Sequence, residues 1–192
     1  EEDVDSPILW KVIDIDKCRC LNESRQDSCK NIFKRWDDRL DTTKFLVSHD
    51  GDPEMILTVK FTEAVHIKAF CILGGGPDSS PSKVRLFKNR DDIDFDAIED
   101  EVPADQEVEL ADDSEARLWY PLPQRKWQNV HQIVMHFSEC YGDDVCKIYY
   151  CGFKGVATNV KHGVVECVYE ASAAAKDHKS LAESTARSGN IF

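Results

Sequence analysis

The chain has 192 residues, 42% of them hydrophobic, and a formal charge of −12. That length suits one domain with a tail, whose folding buries roughly two thirds of the unfolded surface. The charge argues against nucleic acid as the main partner, because phosphate neutralisation needs a Lys/Arg surface, and no stretch approaches the ~18 apolar residues of a membrane span.

The start, Glu1 to Asp5, is acidic and lacks the apolar core of a secretory signal. Residues 1–14 are expected to form an N-terminal extension, 15–170 a β-sandwich domain and 171–192 a flexible tail. Eight cysteines are spread along the chain: Cys18, Cys20, Cys29, Cys71, Cys140, Cys146, Cys151 and Cys167. A domain of this size needs no disulfide scaffold. Cys71 and Cys151 lie in apolar runs, where a thiol behaves as a small hydrophobe. Reduced thiols in an intracellular protein are the expectation, and the sequon Asn22-Glu23-Ser24 is read as chance.

A basic and aromatic cluster follows. Arg25, Lys30, Lys34, Arg35 and Arg39 surround Phe33 and Trp36, and Arg125, Lys126 and Trp127 form a second group. Arg and Trp are the residue types that anchor protein interfaces. Arg25, Lys30, Lys34, Arg35, Trp36, Arg39, Arg125, Lys126 and Trp127 are therefore the candidate interaction surface. The competing reading packs Trp36 and Trp127 into the rim of the core and leaves the charges in water.

Period-two alternation dominates the middle of the chain. Met55, Leu57, Val59 and Phe61 form one face of a strand; Val65, Ile67, Ala69, Cys71 and Leu73 form one face of a second. Further strands are expected over 84–88, 116–122, 130–137, 146–153 and 164–169. Gly74-Gly75-Gly76-Pro77, Ser80-Pro81, Pro121-Leu122-Pro123 and Tyr141-Gly142-Asp143 supply the turns. Many short strands without helical patterns between them indicate an all-β sandwich or barrel. Residues 91–115 are rich in acids and contain no Lys or Arg. They predict a long solvated excursion with a short helix or irregular turns. From Ala171 onward large apolar residues become sparse, and a flexible or marginally helical tail is expected.

Catalytic and metal patterns do not emerge. His131 and His136 are five positions apart on one expected strand and so face opposite ways. The cysteines lack the paired short spacing of a zinc site. Asp92, Asp94 and Asp96 imitate a calcium loop, but Ala97 replaces its glycine and Pro103 its final glutamate. There is no Cys-x-x-Cys and no Gly-x-Ser-x-Gly. No enzyme and no cofactor are expected.

Set in order, several pieces resemble one family. They are Cys20-Leu21-Asn22-Glu23-Ser24, then Phe33 to Arg39, Lys44-Phe45, the pair of runs from Met55 to Leu73, Pro81 to Asn89, Tyr150 to Gly155, Tyr169 to Ala173 and Asp177-His178. This series is similar to the PITH domain, the C-terminal module of proteasome-interacting thioredoxins, in a form without a thioredoxin domain. The resemblance runs from about Ile15 to His178. It departs at Ser48-His49-Asp50, where a more acidic turn is usual, and at Cys151, where an aliphatic residue is usual. It implies a jelly-roll β-sandwich of the galactose-binding-like type. It also implies association with the proteasome regulatory particle, in cytosol and nucleus, and no catalytic residues.

The resulting expectation is a monomeric, non-enzymatic interaction module, with segment 91–115 and the tail as accessory contacts. Two alternatives stand beside it. One is a small-ligand or glycan module stacking sugars on Trp119, Trp127 or Tyr141, on fold analogy. The other is a thiol-redox accessory protein, suggested by the cysteine count.

Overall fold

The structure is a computed structural model and describes residues 7–142 and 144–158. Its organising element is β3, Met55–Gly74, twenty residues without a Pro and with Gly only at the last position. The sequence predicts two strands here. The chain instead continues through Thr62 to Ala64, with a register irregularity between Lys60 and Val65 where it would have turned. No turn residue interrupts it, so the backbone bends rather than reverses.

This strand belongs to two layers. Its first half pairs with β1 (Arg19–Leu21) and β7 (Val130–Cys140). Beyond β7 lie β4 (Pro81–Lys88) and β5 (Gln106–Glu109). Its second half pairs with β6 (Tyr120–Pro121) and β8 (Lys147–Ala157), and β8 carries β2 (Leu46–Val47) on its far side. All pairings are antiparallel. Leu57, Val59, Phe70, Phe137 and Phe153 join one core that draws on both layers, as the all-β sandwich reading requires.

The face assignment along β3 differs from simple alternation. Ile67 pairs with Gly155 but Ala69 with Lys154, so the register steps by one at Lys68. A one-residue step exchanges the two faces of a strand. Val65 and Ile67 point into the core, after which Phe70 and Ile72 do so, while Cys71 and Leu73 are sent to the outer side.

Both outer faces are partly covered. On the first layer Ile56, Phe87 and Val134 pack under Ile93, Phe95, Ile98 and Val102. The acidic excursion is thus anchored by its apolar residues rather than solvated throughout. It contains the short helix α1, Phe95–Glu99, whose N-cap Asp94 accepts the Ala97 N–H at 2.9 Å. It also contributes β5, whose carboxylates meet a basic strand. Glu107 lies opposite Arg85, and its carboxylate is 3.3 Å from the Arg85 guanidinium. On the second layer Cys71, Leu73 and Tyr150 pack under Trp36, Trp119 and Ala116.

Other expectations shift. Residues 8–14 are part of the domain, not an extension: Leu9 and Ile13 are buried, Ile13 bridges to Phe61, and the Asp14 N–H donates to Lys60 O at 2.8 Å. The strand expected over 116–122 contracts to β6. Ala116 adopts a left-handed φ of 53°, and Asp113 accepts the backbone N–H groups of Glu115 and Leu118, so a turn replaces the first part of the run. The strand expected at 164–169 and the tail lie outside the described residues.

Gly155 marks a close approach of β8 to β3. A Cβ at this position would overlap the backbone carbonyl of His66 on β3. Gly155→Ala is expected to lower stability by about 1–3 kcal/mol through strand displacement, read as a lower denaturant midpoint with an unchanged slope.

Candidate functional site

Trp36 opens a single-turn 3-10 helix, Trp36–Asp38, on the outer face of the β3–β8 layer. The turn is closed by Asp38 N–H to Arg35 O at 3.0 Å and Arg39 N–H to Trp36 O at 3.3 Å, which brings Arg39 back over its own turn. The Arg39 guanidinium then lies 4.1 Å from the centre of the Trp36 ring. Trp36 stands 5.3 Å from Trp119, and the Lys154 ammonium lies 4.3 Å from the Trp119 ring. Arg39, Trp36, Trp119 and Lys154 thus alternate cation and aromatic in one row. Each cation–ring contact contributes about 0.5–1 kcal/mol at an exposed site. Tyr150 lies at the foot of the row, edge-on to Trp36 at 6.0 Å. Gly152 makes room for it, because a Cβ there would meet the Tyr150 phenol.

The candidate surface read from the sequence divides between the layers. Arg35 is exposed, with its guanidinium 5.7 Å from the Trp10 ring. Lys34 closes a loop by donating to Asp41 O at 2.5 Å and Lys44 O at 2.8 Å. Lys30 pairs with Asp27 at 2.9 Å, and Arg25 is exposed. The second group sits elsewhere. Arg125 is exposed, and Lys126 donates to the Asp105 carbonyl just ahead of β5.

Trp127 must be removed from the surface. It is fully buried in the main core, and its indole N–H donates to Gln106 Oε1 at 3.2 Å. Neighbouring Arg125 and Lys126 give no hint of this, since a chain can turn its basic residues outward and the next ring inward. Tyr150 and Lys154 are the members that sequence reasoning missed, and Trp119 was singled out there only for sugar stacking. They come from distant segments and meet only through the sheet.

The glycan reading named three rings. Trp127 is buried and Trp119 is packed in the row. Tyr141 is 50% exposed, with its hydroxyl donating to Leu110 O at 2.6 Å. It borders an open cleft of about 490 Å³ with Ser82, Lys83, Glu109 and Glu139. Among the described residues, no group of three or more His, Cys, Asp or Glu is arranged to hold a metal. Asp92 is held by Arg90 at 2.6 Å, and Asp94 by its cap.

Two further sets of groups titrate abnormally. Cys18, Cys29, Cys71, Cys146 and Cys151 are buried. Burial pushes the Cys18 thiol up to about 11 and the Cys29 and Cys71 thiols up to about 12, so they stay protonated at neutral pH. His136, 2% exposed, holds Nε2 at 2.6 Å from Glu54 Oε1 on the outer side of the first layer. Burial lowers its proton affinity, Glu54 opposes that shift, and Arg85 and Lys83 reinforce it.

Comparison with known proteins follows the same lines. The PITH domain family matches residues 2–173. The chain is 39% identical over 172 residues to PITH domain-containing protein 1 of Xenopus laevis, covering 89% of this chain and 81% of that protein. It is 38% identical to the Homo sapiens protein of the same name, covering 89% and 80%. Among solved structures, a family 32 CBM from Clostridium perfringens in complex with galactose superposes with a TM-score of 0.54. It is 12% identical, covering 77% of this chain and 97% of that one. The C-terminal domain of a chitobiase from Bacteroides fragilis gives 0.53 at 13% identity, covering 83% and 99%. The shared feature is the galactose-binding-like jelly-roll fold.

Two measurements check these environments. The unfolded chain binds a proton at His136 near its ordinary value of 6.5, whereas the folded chain binds it only at lower pH. Stability from this group is therefore complete above 6.5 and is lost as pH falls. Denaturation between pH 7.5 and 5.5 should show this loss, and His136→Gln should flatten the slope relative to the parent. In thiol titration with a disulfide reagent at pH 8, Cys18, Cys29, Cys71, Cys146 and Cys151 should react only on unfolding.

Proposed function

The chain belongs to the PITH domain family, and from that membership we propose that it is a non-enzymatic interaction module that associates with the proteasome regulatory particle in cytosol and nucleus. The observation that carries the reading is the row of Arg39, Trp36, Trp119 and Lys154 on an otherwise acidic molecule. Interface anchors are drawn from Trp, Tyr and Arg set on a rigid support, and a β-sheet backs these rings. Leu40 and Leu118, 49% and 44% exposed, adjoin them in sequence. The groups best suited to covalent chemistry are, by contrast, buried: five thiols lie in the cores.

A small-ligand reading has one specific observation behind it, the open cleft beside Tyr141. It predicts binding to a glycan array that Tyr141→Ala abolishes. The docking reading predicts no hits.

Tagged protein purified from cell extract at low salt should bring down regulatory-particle subunits. Trp36→Ala combined with Trp119→Ala should reduce their recovery roughly 10-fold or more. Absence of those subunits with the parent protein would overturn the proposal. Truncation after Tyr169 measures what the tail adds.

A further inference from the structure

We propose that the outer face of the β3–β8 layer receives a carboxylate side chain from an apolar-flanked acidic segment of the docking partner, held by Arg39 and Tyr150 at the foot of the Trp36–Trp119 stack. The inference rests on the docking reading above and adds the chemistry of the docked segment.

Two buried polar atoms carry it. Tyr150 is fully buried, and its Oη has no hydrogen-bond partner among the described residues. The same is true of Arg39 Nε, although a terminal nitrogen of Arg39 donates to Trp36 O at 3.0 Å. Both side chains touch the same ring: Trp36 carries Arg39 at 4.1 Å and meets Tyr150 at 6.0 Å. A buried donor without an acceptor costs about 1–3 kcal/mol, more when charged. An arriving acceptor recovers that cost. Arginine matches a carboxylate through paired donors, and a phenol hydroxyl adds a further one.

The surroundings select the source of the carboxylate. Leu40 and Leu118, next in sequence to Arg39 and Trp119, add exposed apolar surface to the segments that carry the row. The nearby acids of this chain are engaged or turned to water. Asp113 accepts the Glu115 and Leu118 N–H groups, Glu115 pairs with Arg117, and Asp37 and Asp38 are exposed in the turn. A formal charge of −12 repels a long acidic run. One or two carboxylates between apolar residues suit the site better, because short-range pairing then outweighs the general repulsion.

The test is a displayed library of random dodecamer peptides, selected on the full chain and counter-selected on Arg39→Gln. Enriched peptides should carry Asp or Glu beside apolar residues. The best of them, synthesised, should shift the indole N–H resonances of Trp36 and Trp119 in a saturable way and leave that of Trp127 in place. Its affinity should fall 10-fold or more with Tyr150→Phe, with Arg39→Gln, and when its acids become amides. Tyr150→Phe removes only the hydroxyl, so it keeps the test valid if Arg39→Gln fails to fold. A consensus without acids, no enrichment over the counter-selection, or equal binding by Tyr150→Phe overturns the inference. So does an equal effect of free acetate at the peptide's concentration. Regulatory-particle recovery separates the two ideas. Undiminished recovery with folded Arg39→Gln overturns this inference and leaves the docking reading standing. No recovery with the parent overturns the docking reading, while the peptide titration still decides the inference.

Discussion

The pairing of one strand with both sheet layers is the constraint on which the rest depends. β3 gives its first half to β1 and β7 and its second half to β6 and β8. The relative placement of the two halves is therefore covalent as well as packed. The bend near Thr62 to Ala64 fixes where the sheet divides, and the step at Lys68 fixes which side chains reach the interior. Without that step Phe70 and Ile72 would face outward and Cys71 and Leu73 inward, so the core would exchange an aromatic ring for a thiol.

The outer faces follow from the same geometry. Cys71, Leu73 and Tyr150 are directed away from the core, so the second layer carries apolar surface on both sides. The chain covers part of it with two segments remote in sequence, around Trp36 and Trp119. The aliphatic contribution is the small Ala116. Each segment brings an indole with a cation over it, which presents both apolar area and positive charge to the exterior. On the first layer the acidic excursion does the covering with Ile93, Phe95, Ile98, Val102 and Ala104, and its Glu107 pairs with both Lys83 and Arg85 of β4. One face is thus sealed and the other retains anchor residues, which is why the candidate surface falls where it does.

Much of the fold was legible in the residues. The alternation of Met55 to Phe61 and the runs feeding β4, β7 and β8 mark half-buried strands, and the ordered motifs mark the family. The step at Lys68 was not legible, since a bulge is decided by the partner strand and leaves no trace in hydrophobic alternation. Segment 91–115 was read by its charge, which masked Ile93, Phe95, Ile98 and Val102. The site was legible only in part. Trp36 and Arg39 stand close in sequence and were found together. Trp119, Tyr150 and Lys154 reach them through sheet pairing that no local pattern encodes. Trp127 has the same basic neighbours as a surface anchor, and only its burial in the folded core distinguishes it.

A strand shared by both layers leaves no seam along which they can be peeled apart. Tension applied to either layer passes along the β3 backbone into the other, and the hydrogen bonds on both sides must yield in shear together rather than one by one. Such a domain resists opening at the junction of its layers. Partial unravelling is confined to the covering segments, which can lift away while the sandwich beneath keeps its shape.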